Sequence, residues 1–205
     1  MFDALALISV LVFMLSLKTF VGIFQSIMAS AMRWKENINI ESSVRLSRDR
    51  DLSALIMVLP FCLTVFKFRI YNPAFIANLS DSSRLWTIIG TFIIYFILRK
   101  SASLLVHPHS IPQKTYTAAC KSANTFFILL TIAIITIGSL LAFCGVSAGI
   151  IKSVLLWLSA LIYGLYLVRK LQIFASSCSI FAAFLYLCAL EILPTGILVV
   201  SDVIF

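Results

Sequence analysis

The sequence predicts an all-α polytopic transmembrane bundle of about six spans, and three observations carry that reading. Six stretches, roughly 2–32, 52–70, 85–105, 124–143, 150–168 and 178–200, are each apolar for about the twenty residues a helix needs to cross hydrocarbon. Hydrophobic side chains make up 61% of the 205 residues and charged ones 12%. With a mean hydropathy of +1.08, the chain lies far outside the usage of soluble domains. Strand-scale alternation is absent, and a backbone in lipid must satisfy its own hydrogen bonds, which leaves the helix. The connecting loops are too short to fold a core of their own, so residues 1–205 read as one integral-membrane domain.

The spans follow in order. The first opens with Met-Phe-Asp and stays apolar for nearly thirty residues; lacking a basic leader and a small-residue cleavage site, it is expected to stay in the protein. Residues 33–51 form the long polar segment, mixing five basic and four acidic side chains. It reads as a cytoplasmic loop whose second half, capped by Ser42 or Ser43, has the makings of a short helix at the headgroups. Pro73 and a serine cluster mark a turn between spans two and three, where Tyr71, Phe75 and Trp86 suit an interfacial aromatic belt. Beyond span three, Pro108 and Pro112 forbid a continuous helix, so the chain must bend there. The short Cys144–Gly149 link makes spans four and five an antiparallel hairpin.

Net charge is +8, which raises the question of nucleic acid. The basic residues are scattered among apolar spans, however, without the soluble scaffold such binding uses. Topology explains them better. With the N-terminus outside, the inner loops hold Arg33, Lys35, Arg45, Arg48, Arg50, Arg99, Lys100, Lys114, Lys121, Arg169 and Lys170, eleven in all, against Lys67, Arg69, Arg84 and Lys152 outside. That asymmetry obeys the positive-inside rule and puts both termini outside. The five cysteines form no CxxC pair and act as small apolar residues, so neither a disulfide framework nor a zinc site is expected.

Glu191 is the residue with the strongest chemical signal. It falls near the middle of the last span, where a carboxylate costs about 2.5–3.5 kcal/mol even on insertion scales, so it requires a compensating partner. Pro194, three residues on, frees the carbonyl of Leu190 and predicts a helix kink. Lys18 in the first span is the counterpart. Counting about 1.5 Å per residue places both about 20 Å from the cytoplasmic ends of their spans. The expectation is therefore that spans one and six are neighbours and that Lys18 pairs with Glu191.

Arg99, Lys100 and His107 at the inner interface suit the phosphate of an anionic lipid, although topogenic charge explains the first two as well. His107 and His109 flank Pro108 at a spacing unlike that of a helical metal pair, and no metal site or cofactor is expected. Nucleotide and hydrolase fingerprints are absent, so no catalytic residue is assigned.

At Phe184-Leu-Tyr186-Leu-Cys188-Ala-Leu-Glu191-Ile-Leu-Pro194 the chain resembles a family, of unknown activity, of multi-span bacterial inner-membrane proteins typical of Bacteroidota-type genomes. The resemblance implies location and lineage and carries over no catalytic residue. Two functions fit. The first is a non-enzymatic integral subunit or partner-binding module of an inner-membrane assembly for envelope biogenesis or export, with other membrane proteins as partners. The alternative is a small-molecule or lipid transporter, or a lipid-modifying enzyme, with Glu191 and Lys18 in a cavity and Arg99 or Lys100 at its inner mouth. A water-filled cavity that reaches Glu191 favours the alternative, and a Glu191 sealed by packed helices favours the first.

Overall fold

Apolar length dictates most of the architecture. The computed structural model describes residues 2–73, 76, 79–105 and 111–204, and every regular element among them is helical. Helix α1 spans Phe2–Met32, α2 Trp34–Ser42, α3 Val44–Lys67 and α4 Asp81–Leu105. Helices α5 (Gln113–Phe143) and α6 (Ala148–Ala175) form the expected hairpin. A last rod begins with α7 (Ile180–Leu187), passes through a π-helical turn (Cys188–Ile192) and ends in α8 (Leu193–Ile204).

Five of these stretches are long and apolar enough to cross a membrane: Asp3–Met32, Asp81–Ser103, Gln113–Phe143, Ala148–Ala175 and Ile180–Val200. The remaining expected span, 52–70, is helical but differs in kind. Helix α3 begins at Val44 with a polar first third, and its uncharged stretch, Leu52–Phe66, is only fifteen residues. At 1.5 Å per residue that covers about 22 Å, short of a hydrocarbon core of about 30 Å.

The polar segment 33–51 is not a loop. Arg33 (φ −130°, ψ 116°) and Ser43 (φ −99°, ψ 111°) are single extended residues that break the helix on either side of α2. Ser43 caps α3, its hydroxyl accepting from the Leu46 N–H at 3.5 Å. The helix then runs on without a break, because no proline or glycine interrupts 44–59. Pro60 is tolerated inside α3, where the Thr64 hydroxyl donates to its carbonyl at 2.7 Å.

The main core lies among α3, α4, α5 and α6. There the Phe61 ring meets Phe92 and Phe127 edge-on at 5.0 and 5.1 Å. Tyr71, expected in an interfacial belt, is instead buried in this core, while Trp86 is exposed; Phe75 lies outside the described residues. Gly138 permits close approach, since a Cβ there would sit 2.8 Å from the Phe68 ring. Helix α1 packs mainly on α2 and α3. Its buried residues are Ser9, Ile23, Ile27 and Ser30, so most of its N-terminal half is bare.

Candidate functional site

The last rod is shaped by Pro194. Proline offers no N–H, and its ring crowds the carbonyl four residues back, so a regular ladder cannot pass through it. The chain answers with the π turn at Cys188–Ile192, in which the Leu193 N–H reaches the Cys188 carbonyl. One residue of extra winding takes up the misfit. The expected kink is thus realised as a π turn just ahead of the proline, and Glu191 lies in it. The Tyr163 hydroxyl donates to the main-chain carbonyl of Glu191 at 3.1 Å, and the Tyr95 and Thr195 hydroxyls meet at 3.0 Å one turn on.

Glu191 is 2% exposed and is met by two cations, neither of which is Lys18. Arg99 on α4 donates to Glu191 Oε1 from Nη2 at 2.9 Å and from Nε at 3.2 Å. Lys170 on α6, 1% exposed, donates its Nζ proton to the same oxygen. The other carboxylate oxygen, Oε2, is buried and accepts no hydrogen bond among the described residues. Arg99 Nη2 also donates to the Tyr166 hydroxyl at 2.6 Å. The Tyr166 ring lies under both cations, 5.4 Å from the Arg99 guanidinium and 5.7 Å from Lys170 Nζ. Tyr163, Tyr166 and Lys170 sit at i, i+3 and i+7 on α6, one helix face, which is why a single helix supplies three members of the cluster.

This arrangement corrects the expected Lys18–Glu191 pair. Helix α1 packs on α2 and α3, whereas the π turn is flanked by α4 and reached by α6, so spans one and six are not the neighbours that bring charges together. Lys18 is exposed and makes no ion pair among the described residues. Glu191 itself lies near the middle of the last candidate span, Ile180–Val200, as expected. The long Arg99 and Lys170 side chains reach it from the last two turns of their helices, rooted six residues from the end of α4 and five from the end of α6.

A second polar cluster ties α2, α3 and α5 together at the same end. Arg50, with its side chain 0% exposed, bonds Glu41 at 3.0 Å and Asp51 at 2.9 Å. Lys121 on α5 bonds the same two acids at 2.9 and 3.4 Å, and Asn124 donates to Asp51 at 3.0 Å. Two cations and two carboxylates balance. Burial pushes the Glu41 carboxyl up, but hydrogen bonds from Lys121, Arg50 and Ser47 outweigh it and hold the group below the usual carboxylate range.

Between the clusters lies a cavity of about 710 Å³ bounded by α3, α4, α5 and the π turn. Its walls divide by chemistry. Asp51, Arg99, Lys100, Lys121 and Asn124 line one end, while Val58, Ile93, Phe96, Ile97 and Phe127 line the other. The polar residues come from the start of α3, the end of α4 and the start of α5, and the apolar ones lie from about half a turn to about two turns further into each helix. Glu191 borders the cavity. With Nε and Nη2 committed, Nη1 is the accessible end of the Arg99 guanidinium and makes no hydrogen bond among the described residues. Arg99 and Lys100 therefore share a cavity wall; His107 lies outside the described residues.

The fold and site define a multi-pass helical membrane protein with a charged cluster beside an amphipathic cavity. No group of three or more metal-ligating side chains occurs among the described residues. Comparison with protein-family models, curated proteins and solved structures gives no match.

The sequence reading missed Lys170, Tyr166 and Tyr163. The available signal was the heptad-like spacing of two tyrosines and a lysine in an otherwise apolar helix. Counting Lys170 beside Arg169 as a topogenic loop charge concealed it.

Proposed function

We propose that this protein binds an amphiphile with an anionic head, a membrane lipid, in the cavity between α3, α4 and α5. The observation that carries the reading is the division of that cavity. Its basic end lies level with the helix ends, where headgroups lie, and its apolar end runs deeper, where acyl chains lie. No nucleophile paired with a base is assembled there among the described residues, so the reading is binding and handling of the lipid rather than a named reaction.

The setting proposed is a bacterial inner membrane, in keeping with the resemblance at 184–194, with six crossings and both termini outside. The eleven-to-four charge asymmetry supports that orientation. Helix α3, with its short uncharged stretch, serves as the sixth crossing. Alkaline phosphatase fused after Phe205 should be active; an inactive enzyme there, with a fluorescent protein folding at the same point, defeats the six-span topology.

Phosphatidylglycerol added to the detergent-purified protein should bind saturably, read by native mass spectrometry, and phosphatidylcholine should bind far more weakly. Val58→Trp, which fills the apolar end, should abolish binding while helicity persists. Equal binding of both lipids, or an unaffected Val58→Trp protein, counts against the reading.

A second reading rests on Lys18. It sits at the middle of α1, about 21 Å along the helix from Met32 at 1.5 Å per residue, exposed and without an ion-pair partner among the described residues. A lysine there carries a cost of about 2.5–3.5 kcal/mol, which an acidic side chain on a neighbouring protein's helix relieves. On this reading the chain is also an integral subunit. Lys18→Leu should then dissociate a native-gel complex that Lys18→Arg preserves; unchanged migration of both refutes it.

A further inference from the structure

The charge balance around the cavity specifies the kind of anionic head it accepts. At one side, Arg50 and Lys121 are matched by Glu41 and Asp51. At the other, Arg99 and Lys170 share the single carboxylate of Glu191. Lys100, which lines the cavity beside Arg99, makes no ion pair or hydrogen bond from its ammonium group among the described residues. Three cations thus face one carboxylate, an excess of two positive charges. Lys170 and Glu191 are 1% and 2% exposed, so bulk water screens that part of the cluster poorly, whereas Lys100 stands exposed at the cavity wall.

We infer that the ligand is a lipid whose head is a terminal phosphate monoester, carrying nearly two negative charges, rather than a phosphodiester carrying one. A monoester holds about −1.5 to −2 charges at pH 7 and three free oxygens. That matches the surplus, whereas a diester leaves one cation uncompensated. The geometry provides contacts of two kinds. Arg99 is fixed by Glu191 and Tyr166 and has Nη1 to offer, a planar donor suited to phosphate. Lys100 supplies a mobile point charge on the same helix. Glu191, Lys170 and Tyr166 act as positioning residues that hold the guanidinium in place. The inference rests on the lipid-binding reading, because the deep apolar wall is what selects a lipid over a soluble phosphate.

The test compares three probes on the purified full chain in mild detergent. These are phosphatidate, phosphatidylmethanol with the same acyl chains, and glycerol 3-phosphate. Phosphatidate should bind about tenfold more tightly than phosphatidylmethanol, which corresponds to about 1.4 kcal/mol, and glycerol 3-phosphate at least a hundredfold more weakly. Lys100→Gln, at an exposed position, should bring the two lipids to within about twofold of each other, and Lys100→Arg should restore the preference. Equal affinities in the wild-type protein, or a preference untouched by Lys100→Gln, overturn the monoester assignment and leave lipid binding standing. Glycerol 3-phosphate binding as tightly as phosphatidate overturns the lipid source in favour of free phosphate. Absence of saturable binding by either lipid overturns both the inference and the function on which it rests.

Discussion

Removing the carboxylate of Glu191 is the most severe single change available at the site. In Glu191→Gln the shape is kept, but Arg99 and Lys170, which both donate to Oε1, face each other without an intervening negative charge. Breaking a buried pair by deleting one partner costs about 3–5 kcal/mol, mostly from the uncompensated charge left behind. Here two cations are left, with side chains 16% and 1% exposed, so the upper half of that range applies. Lys170→Met is the informative contrast. It leaves Arg99 and Glu191 paired one to one, keeps an apolar side chain beside the Tyr166 and Phe174 rings, whose centroids lie 5.7 and 5.8 Å from the Lys170 ammonium, and removes one cation. Its cost should be about 1 kcal/mol or less, mainly the lost contacts of the ammonium with those two rings. In Glu191→Gln combined with Lys170→Met, only Arg99 remains, so the double variant should be more stable than Glu191→Gln alone by about 1–3 kcal/mol. Reversible unfolding in mixed micelles, titrated with dodecyl sulfate and followed by circular dichroism, measures all three. An order in which Lys170→Met is the worst, or a Glu191→Gln protein within about 1 kcal/mol of wild type, refutes the account of the triad.

Two further outcomes follow from the structure. Since the Glu41 carboxyl is held below its usual range, it contributes stability that is present above the unfolded-state value and is lost as pH falls through the lower folded value. Stability should therefore decline on acidification in that window, and Glu41→Gln should flatten this part of the profile. An identical acid limb in both proteins rules the contribution out. Gly138→Ala places a methyl 2.8 Å from the Phe68 ring and should cost about 1–3 kcal/mol by overpacking. Gly164→Ala, with nothing within 4 Å of the new Cβ, should be neutral or gain up to about 1 kcal/mol in helix propensity. Thermal unfolding of the pair reads the difference, and equal shifts would remove the close-packing argument.

The helices were legible in the sequence because membrane spans announce themselves by apolar length, a property that needs no knowledge of the fold. Glu191 was legible for the same reason, as an acid where acids are costly. Its partners were not. Lys170 and Arg99 lie at span ends, where one-dimensional reading assigns cations to topology, and only the packing of α4, α6 and the π turn shows that both turn inward. The Lys18 pairing failed because equal depth along two helices does not make them adjacent. The polar 33–51 segment was misread because its charges were weighed as solvation; three of them, Glu41, Arg50 and Asp51, are instead matched with Lys121 across α2, α3 and α5. Pro194 was read as a bend, and the chain used a change of winding.

Arg169, next in sequence to the buried Lys170, faces the other way and donates to the carbonyls of Ala31 and Met32 at 3.0 and 2.8 Å. It thereby occupies acceptors that the end of α1 leaves open. Helix α1 is held at its foot by this fork and by Ile23 and Ile27, and scarcely at all above them. Such a mast can lean, or rest against another protein, without disturbing the charged cluster one residue away.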